Sequence, residues 1–288
     1  MKLNKYFLIS MIFFNSHLVF AEADTPCATN GSGEITTNPL FGSYTDCSIQ
    51  PTIQRVIFLK ASLCTAVSIA MPTTSTEIDT SSCTTIWENP AGESVDIQLG
   101  VETSLARGDD DVNIPSPGIY KTVYLEMKPY FGISASKKFA QAMKDTSGNA
   151  AGGGRVFCKS LSVTRYSFKN TNPTASLCST TEGIAGITNN YFNSLGDNSG
   201  VPDATYIDGN LSAALITSDR KLIPAATLNQ AGTEDKLVAW FVQDTVVTST
   251  TNGFTVGFGN QRGASVELEN LWVKSFSAGP FNINLTPF

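Results

Sequence analysis

Glu267 and Glu269 stand two residues apart, with Trp272 just beyond them. On a strand this spacing puts both carboxylates on one face. Paired carboxylates beside an aromatic ring are the parts of a sugar site, in which one group is the acid and the other a base or nucleophile, about 5 to 10 Å away. The solvated outer face of an antiparallel strand produces the same alternation, so both readings stay open. Asp109, Asp111 and Asn113 match the first three ligand positions of a calcium loop. The match then fails, because Ile114 takes the place of the required Gly and Tyr120 that of the bidentate Glu. The segment reads as an irregular calcium site or as an acidic solvated loop, and calcium is the one cofactor the sequence admits.

The single histidine, His17, lies in a stretch with the marks of a secretory leader. Lys2 and Lys5 precede an apolar run over residues 6–14, and small residues at Ala21 and Ala23 offer cleavage sites. Cleavage after Ala23 is expected, leaving a mature chain without histidine. Ser-His-Asp and Cys-His units and the common zinc sites then cannot be built, which leaves enzyme chemistry to carboxylates, Lys or Tyr. The expected protein is exported, with no transmembrane segment in the mature chain, and is periplasmic, on the cell surface or extracellular.

Six cysteines, Cys27, Cys47, Cys64, Cys83, Cys158 and Cys178, all follow the leader, and an even number in an exported chain reads as disulfides. Their intervals suggest sequential pairing, 27 with 47, 64 with 83 and 158 with 178, each closing a loop of similar length. Each such loop is expected to stabilise the fold by about 3 kcal/mol through the unfolded state. A formal charge of −6 and a pI near 4.9, with no basic cluster, exclude nucleic acid as a partner.

These groups need elements to hold them, and the periodicity favours strands. Residues 53–60, 95–102, 119–128, 237–247, 254–258 and 266–276 are rich in Val, Ile, Tyr, Phe and Thr and are separated by Gly, Pro, Asn and Asp. An all-β antiparallel sandwich over residues 24–288 is expected, with a loop-rich insertion at 145–235. One short helix is expected over 182–195, where Ile184, Ile187, Tyr191 and Leu195 recur at helical spacing. A second helical turn fits 137–144. The Gly-rich run 145–154 reads as a flexible loop or linker. At the carboxyl terminus Phe281, Ile283 and Leu285 alternate with Asn and Thr, as in a short strand that closes the chain's own sheet or joins a neighbour's.

Pro115-Ser116-Pro117-Gly118-Ile119-Tyr120 ahead of an alternating strand resembles the Pro-x-Gly-x-Tyr unit of prealbumin-like β-sandwich domains in bacterial exported proteins, with one extra residue before the glycine. The resemblance implies a sandwich in a surface or periplasmic setting and carries no functional residue. Thr- and Ser-rich loops at 72–76 and 248–253 suit either a broad polar contact surface or ordinary connections. The expected function is a non-enzymatic structural or adhesive role at the cell surface, with other surface proteins, a second copy or glycans as partners. The alternative is a carbohydrate-binding module or a carboxylate-driven glycoside hydrolase.

Overall fold

The computed structural model describes residues 25–37, 44–97, 102–106, 112–166, 176–192, 195, 204–208, 211–224, 227, 235–259, 262–278 and 282–288. The leader expected over residues 1–23 lies outside them. Within them the chain is all-β, in one eight-stranded and three three-stranded sheets.

The axis of the large sheet is β5 (Gly118–Ser134). Its Val123, Leu125 and Met127 alternate with Tyr124 and Glu126, and all five are buried. A strand covered on both faces explains why this run is almost continuously apolar. Along one edge β5 pairs antiparallel with β2 (Ile53–Cys64), from Ile53 opposite Ser134 to Cys64 opposite Thr122. Its other edge is shared by β13 (Lys236–Val247), opposite residues 118–127, and β10 (Thr188–Tyr191), opposite residues 130–133. Outside these lie β3 (Cys83–Ile97) on β2, β12 (Leu211–Ile216) and then β11 (Thr205–Asp208) on β13, and β8 (Thr164–Tyr166), parallel to β10. Strands β10 and β12, from the 145–235 stretch, are thus members of the main sheet.

The small sheets run β17 (Asn282–Pro287), β14 (Gly253–Gly259), β4 (Glu102–Ala106); β1 (Tyr44–Ile49), β15 (Ala264–Glu269), β16 (Trp272–Ala278); and β6 (Ser136–Lys138), β7 (Phe157–Ser160), β9 (Ser176–Ser179). β17 packs on β13, and β16 on β5 and β10. Between them Val123, Leu125, Phe241, Phe276, Ile283 and Leu285 share one core. The opposite face of the large sheet presents Tyr124, Val238 and Trp240 to Ile69 and Ile78, from the loop joining β2 to β3.

All three disulfides close in sequence order: Cys27–Cys47, Cys64–Cys83 and Cys158–Cys178. Two of them join directly opposed residues of adjacent strands, Cys64 of β2 with Cys83 of β3 and Cys158 of β7 with Cys178 of β9.

Four local expectations give way. Over its described residues, 182–192 and 195, the expected helix is absent, because residues 188–191 fill the edge of β5 that β13 leaves open, and their backbone bonds are made there. The apolar stripe was no buried face: Ile184 is 93% exposed. Gly186 runs so close to the 161–162 backbone that an added Cβ would lie 2.4 Å from the Ser162 nitrogen. The 137–144 segment is likewise not helical, since β6 pairs with β7 and Ala140 N–H donates to the Ile35 carbonyl at 2.9 Å. The run 266–276 is a hairpin and not one strand, turned at Asn270, whose φ of 55° an Asn tolerates better than most residues. Finally, 145–154 is no slack linker. The buried Asp145 carboxylate accepts hydrogen bonds from the backbone N–H of Ser147 (2.9 Å), Asn149 (3.1 Å) and Cys178 (2.6 Å) and from the Asn149 amide (2.8 Å).

The carboxyl-terminal strand pairs at home: β17 lies along β14, with Ile283 and Leu285 buried and Asn284 and Thr286 exposed. Its outer edge is met by a side chain. In β13 Gln243 and Asp244 stand opposite the single Lys121, a bulge that turns Gln243 towards the small sheet. Gln243 Nε2 donates to the Leu285 carbonyl at 2.6 Å, and its Oε1 accepts from Leu285 N–H at 3.4 Å. The amide thus stands in for a neighbouring strand at that residue. Gln243→Ala should cost about 1–2 kcal/mol and speed hydrogen exchange at the Leu285 amide; unchanged exchange there would show that the contact does not protect the edge.

Candidate functional site

Glu267 and Glu269 do share one face of β15, opposite the buried Val266 and Leu268, and the hairpin sets Trp272 directly across from Glu269. Both carboxylates are already engaged, and the Trp272 ring is covered by lysines although its buried indole N–H has no hydrogen-bond partner among the described residues. Lys274 Nζ lies 2.7 Å from Glu269 Oε2 and 3.4 Å from the centroid of the Trp272 ring. Lys144 Nζ lies 4.1 Å from the same centroid. Its position is set by backbone pairing, since Lys144 N–H donates to the Leu271 carbonyl (2.6 Å) and its carbonyl accepts from Val273 N–H (2.9 Å). The Ser275 hydroxyl donates to the Glu267 carboxylate. Two ammonium groups on the indole satisfy its electron-rich surface as a cation–π cluster, so the ring is occupied where a sugar would stack.

Asp109 and Asp111 lie outside the described residues. Asn113 donates its side-chain amide to the Thr85 carbonyl at 2.9 Å and its N–H to the Ile86 carbonyl at 2.8 Å, both on β3. Among the described residues no group of three His, Cys, Asp or Glu side chains is placed to hold a metal ion. The hydroxyl-rich loops bond internally: Thr73 Oγ1 meets Thr76 Oγ1 at 2.6 Å, and Thr248 Oγ1 meets Thr250 Oγ1 at 2.9 Å. In the Pro-Gly-Ile-Tyr turn the Tyr120 hydroxyl donates to the Ser116 carbonyl at 3.0 Å, tying the start of β5 to the residues before it.

A charged cluster behind the large sheet escaped the sequence reading. Glu126 has a side chain only 3% exposed and accepts from Arg220 Nη1 at 2.8 Å, Lys236 Nζ at 2.7 Å and the Tyr124 hydroxyl at 3.0 Å. Burial pushes the Glu126 carboxyl up, but the hydrogen bond and charge of Lys236, with Tyr124 and Arg220, outweigh it and hold the group below the usual carboxylate range. Burial, followed by the charge of Glu126, raises the Tyr124 phenol. Arg220 also donates to Thr80 Oγ1 at 3.1 Å, and its carbonyl accepts from Ile78 N–H at 3.0 Å. The cluster therefore fastens the 217–221 turn and the loop before β3 to the sheet. An acidic residue in phase with Tyr124 inside the apolar strand 119–128 was the available signal.

A small cleft among the described residues is apolar. It lies between the large sheet and the β17-β14-β4 sheet, holds a volume of about 60 Å³, and is walled by Phe58, Trp87, Val123, Leu125, Val256 and Ile283 among others. Its one charged wall residue is Glu93. No acid–base pair faces this space. Comparison with protein-family models, with curated proteins and with solved structures yields no match.

Proposed function

We propose that the chain is an exported, non-enzymatic β-sandwich protein with a structural or adhesive role at the cell surface, where its partners are other surface proteins, a second copy or glycans. The observation that carries this reading is the closed state of the Glu267, Glu269 and Trp272 trio. The two carboxylates of this trio meet Ser275 and Lys274, and the Trp272 ring lies against Lys274 and Lys144. Three disulfides belong to an oxidising, exported setting. They stiffen a fold that must persist outside the cell. No described helix is long and apolar enough to cross a membrane.

Deleting the gene from the producing cells should reduce their adhesion to surfaces or alter their outer layer in electron micrographs, and expression of the wild-type chain should restore either. Cells unchanged in both respects would overturn the proposal. The competing carbohydrate reading makes the opposite forecast on purified protein. On a glycan array and in sugar-release assays, Glu267→Gln and Trp272→Ala should behave as the wild type does. A glycan signal or hydrolysis lost in either variant would transfer the function to that site.

A further inference from the structure

We propose that Asn30 is a self-modifying residue, which loses its side-chain amide as ammonia when the Gly31 nitrogen attacks its Cγ, in a turn built to stabilise that attack. This goes beyond the surface role and does not depend on it. The turn is a small hairpin. Thr29 bridges antiparallel to Ile35, Asn30 N–H donates to the Glu34 carbonyl at 3.0 Å, and Gly33 N–H donates to the Asn30 carbonyl at 2.9 Å. Gly33, with φ 74°, supplies the left-handed step that brings the chain back. The Asn30 amide is gripped at both ends. Its Oδ1 accepts from the backbone N–H of Ser32 at 2.9 Å and of Glu34 at 3.0 Å, while its Nδ2 donates to Glu34 Oε2 at 2.8 Å. Lys138 Nζ, 2.6 Å from Glu34 Oε1, holds that carboxylate in place. The hydrogen bonds of Lys138 and then of Asn30 keep the Glu34 carboxyl below the usual carboxylate range, so it stays an acceptor for Nδ2 at neutral pH.

Attack on an amide carbon moves negative charge onto its oxygen, and two backbone N–H groups at hydrogen-bond distance from Oδ1 form an oxyanion hole for that charge. Glu34 fixes the rotation of the amide, so that the oxygen and not the nitrogen faces the two donors. Gly31 is exposed, and a Cβ added to it would meet nothing within 4 Å. Its φ is also outside the left-handed region, so the fold does not require glycine there, as it does at Gly33. What glycine supplies at 31 is an unhindered nitrogen beside the Asn30 side chain. The N–Cγ bond forms as the Gly31 N–H proton passes to solvent. The Cγ–Nδ2 bond then breaks, Nδ2 takes a proton from water and leaves as ammonia, and a cyclic imide joins the two residues. Water opens the imide at Cγ to give aspartate, or at the main-chain carbonyl to give isoaspartate, with no change of oxidation state. Either product sets a second carboxylate against Glu34. The same dipeptide recurs as Asn252-Gly253, where the fold opposes the reaction. Gly253 is buried at the start of β14, opposite Ala106 of β4, and its carbonyl accepts from Phe288 N–H at 3.1 Å, while Asn252 N–H donates to the Phe288 carbonyl at 2.7 Å. A main chain paired in this way is not free to turn and close the ring.

Peptide mapping by mass spectrometry tests the proposal on the full chain, incubated at mildly alkaline pH either folded or unfolded in concentrated urea. Asn30 should convert about tenfold faster in the folded chain than in the unfolded one, the effect of two hydrogen bonds that strengthen during the attack. Asn252 should convert more slowly folded than unfolded. Gly31→Ala should keep the cooperative thermal transition and leave Asn30 intact over the period in which the wild type converts. The proposal fails if Asn30 reacts no faster in the folded chain than in the unfolded one, since the hydrogen bonds would then lock the amide and protect it. It also fails if Asn252 keeps pace with Asn30 in the folded chain, or if Gly31→Ala converts like the wild type. The comparison of folded with unfolded chain uses the wild type alone, so it decides the matter even where the variant does not fold.

Discussion

Glu126→Ala should lower the free energy of unfolding by about 3–5 kcal/mol, the usual cost of removing one partner from a buried ion pair. The substitution strands Arg220 and Lys236, 28% and 29% exposed, against a sheet face from which their counter-charge has gone. It also frees the Tyr124 hydroxyl and the turn in which Arg220 holds a left-handed φ of 62°, a conformation that costs roughly 1 kcal/mol or more for a residue with a side chain. Urea unfolding gives the value, and a loss below about 1 kcal/mol would show that the cluster behaves as a surface pair. The pH dependence has a fixed sign. Because the folded carboxyl lies below its unfolded value, near 4.3, its contribution is complete above that pH and is lost as the pH falls through the folded value. The wild type should therefore lose stability on acidification more steeply than Glu126→Gln.

The double variant Cys64→Ala/Cys83→Ala should lower the thermal midpoint by roughly 6–12 °C, from the loss of about 3 kcal/mol of unfolded-state constraint in a chain of this size. The bond closes the segment that brings Ile69 and Ile78 onto Tyr124 and Trp240. Loss of the bond should hence also raise proteolysis between residues 65 and 82 while the β13 amides stay protected. A midpoint within about 2 °C of the wild type would mean that packing alone holds the loop.

The cysteine pairing was legible because similar intervals suit hairpin-like excursions, and two of the bonds do close between opposed residues of adjacent strands. Strands were legible where one face is buried, as in β15, and where both are, as in β5. The 182–195 segment misled because helical spacing of Ile184, Ile187, Tyr191 and Leu195 says nothing of an open sheet edge elsewhere. Tyr191 instead stacks near Tyr130, with ring centroids 4.6 Å apart, as a cross-strand neighbour. Glycine and small polar residues over 145–154 suggested slack, whereas one buried carboxylate, Asp145, orders the turn. The trio of Glu267, Glu269 and Trp272 was found by spacing, but the lysines that close it come from residue 274, within the hairpin, and from residue 144, far away in the chain.

Surface labelling of intact producing cells with a membrane-impermeant amine reagent, followed by thiol analysis of the recovered chain, tests the proposed role most directly. The account predicts a labelled protein with its cysteines oxidised. A chain that is labelled only after the cells are broken, or that carries reactive thiols, would contradict it.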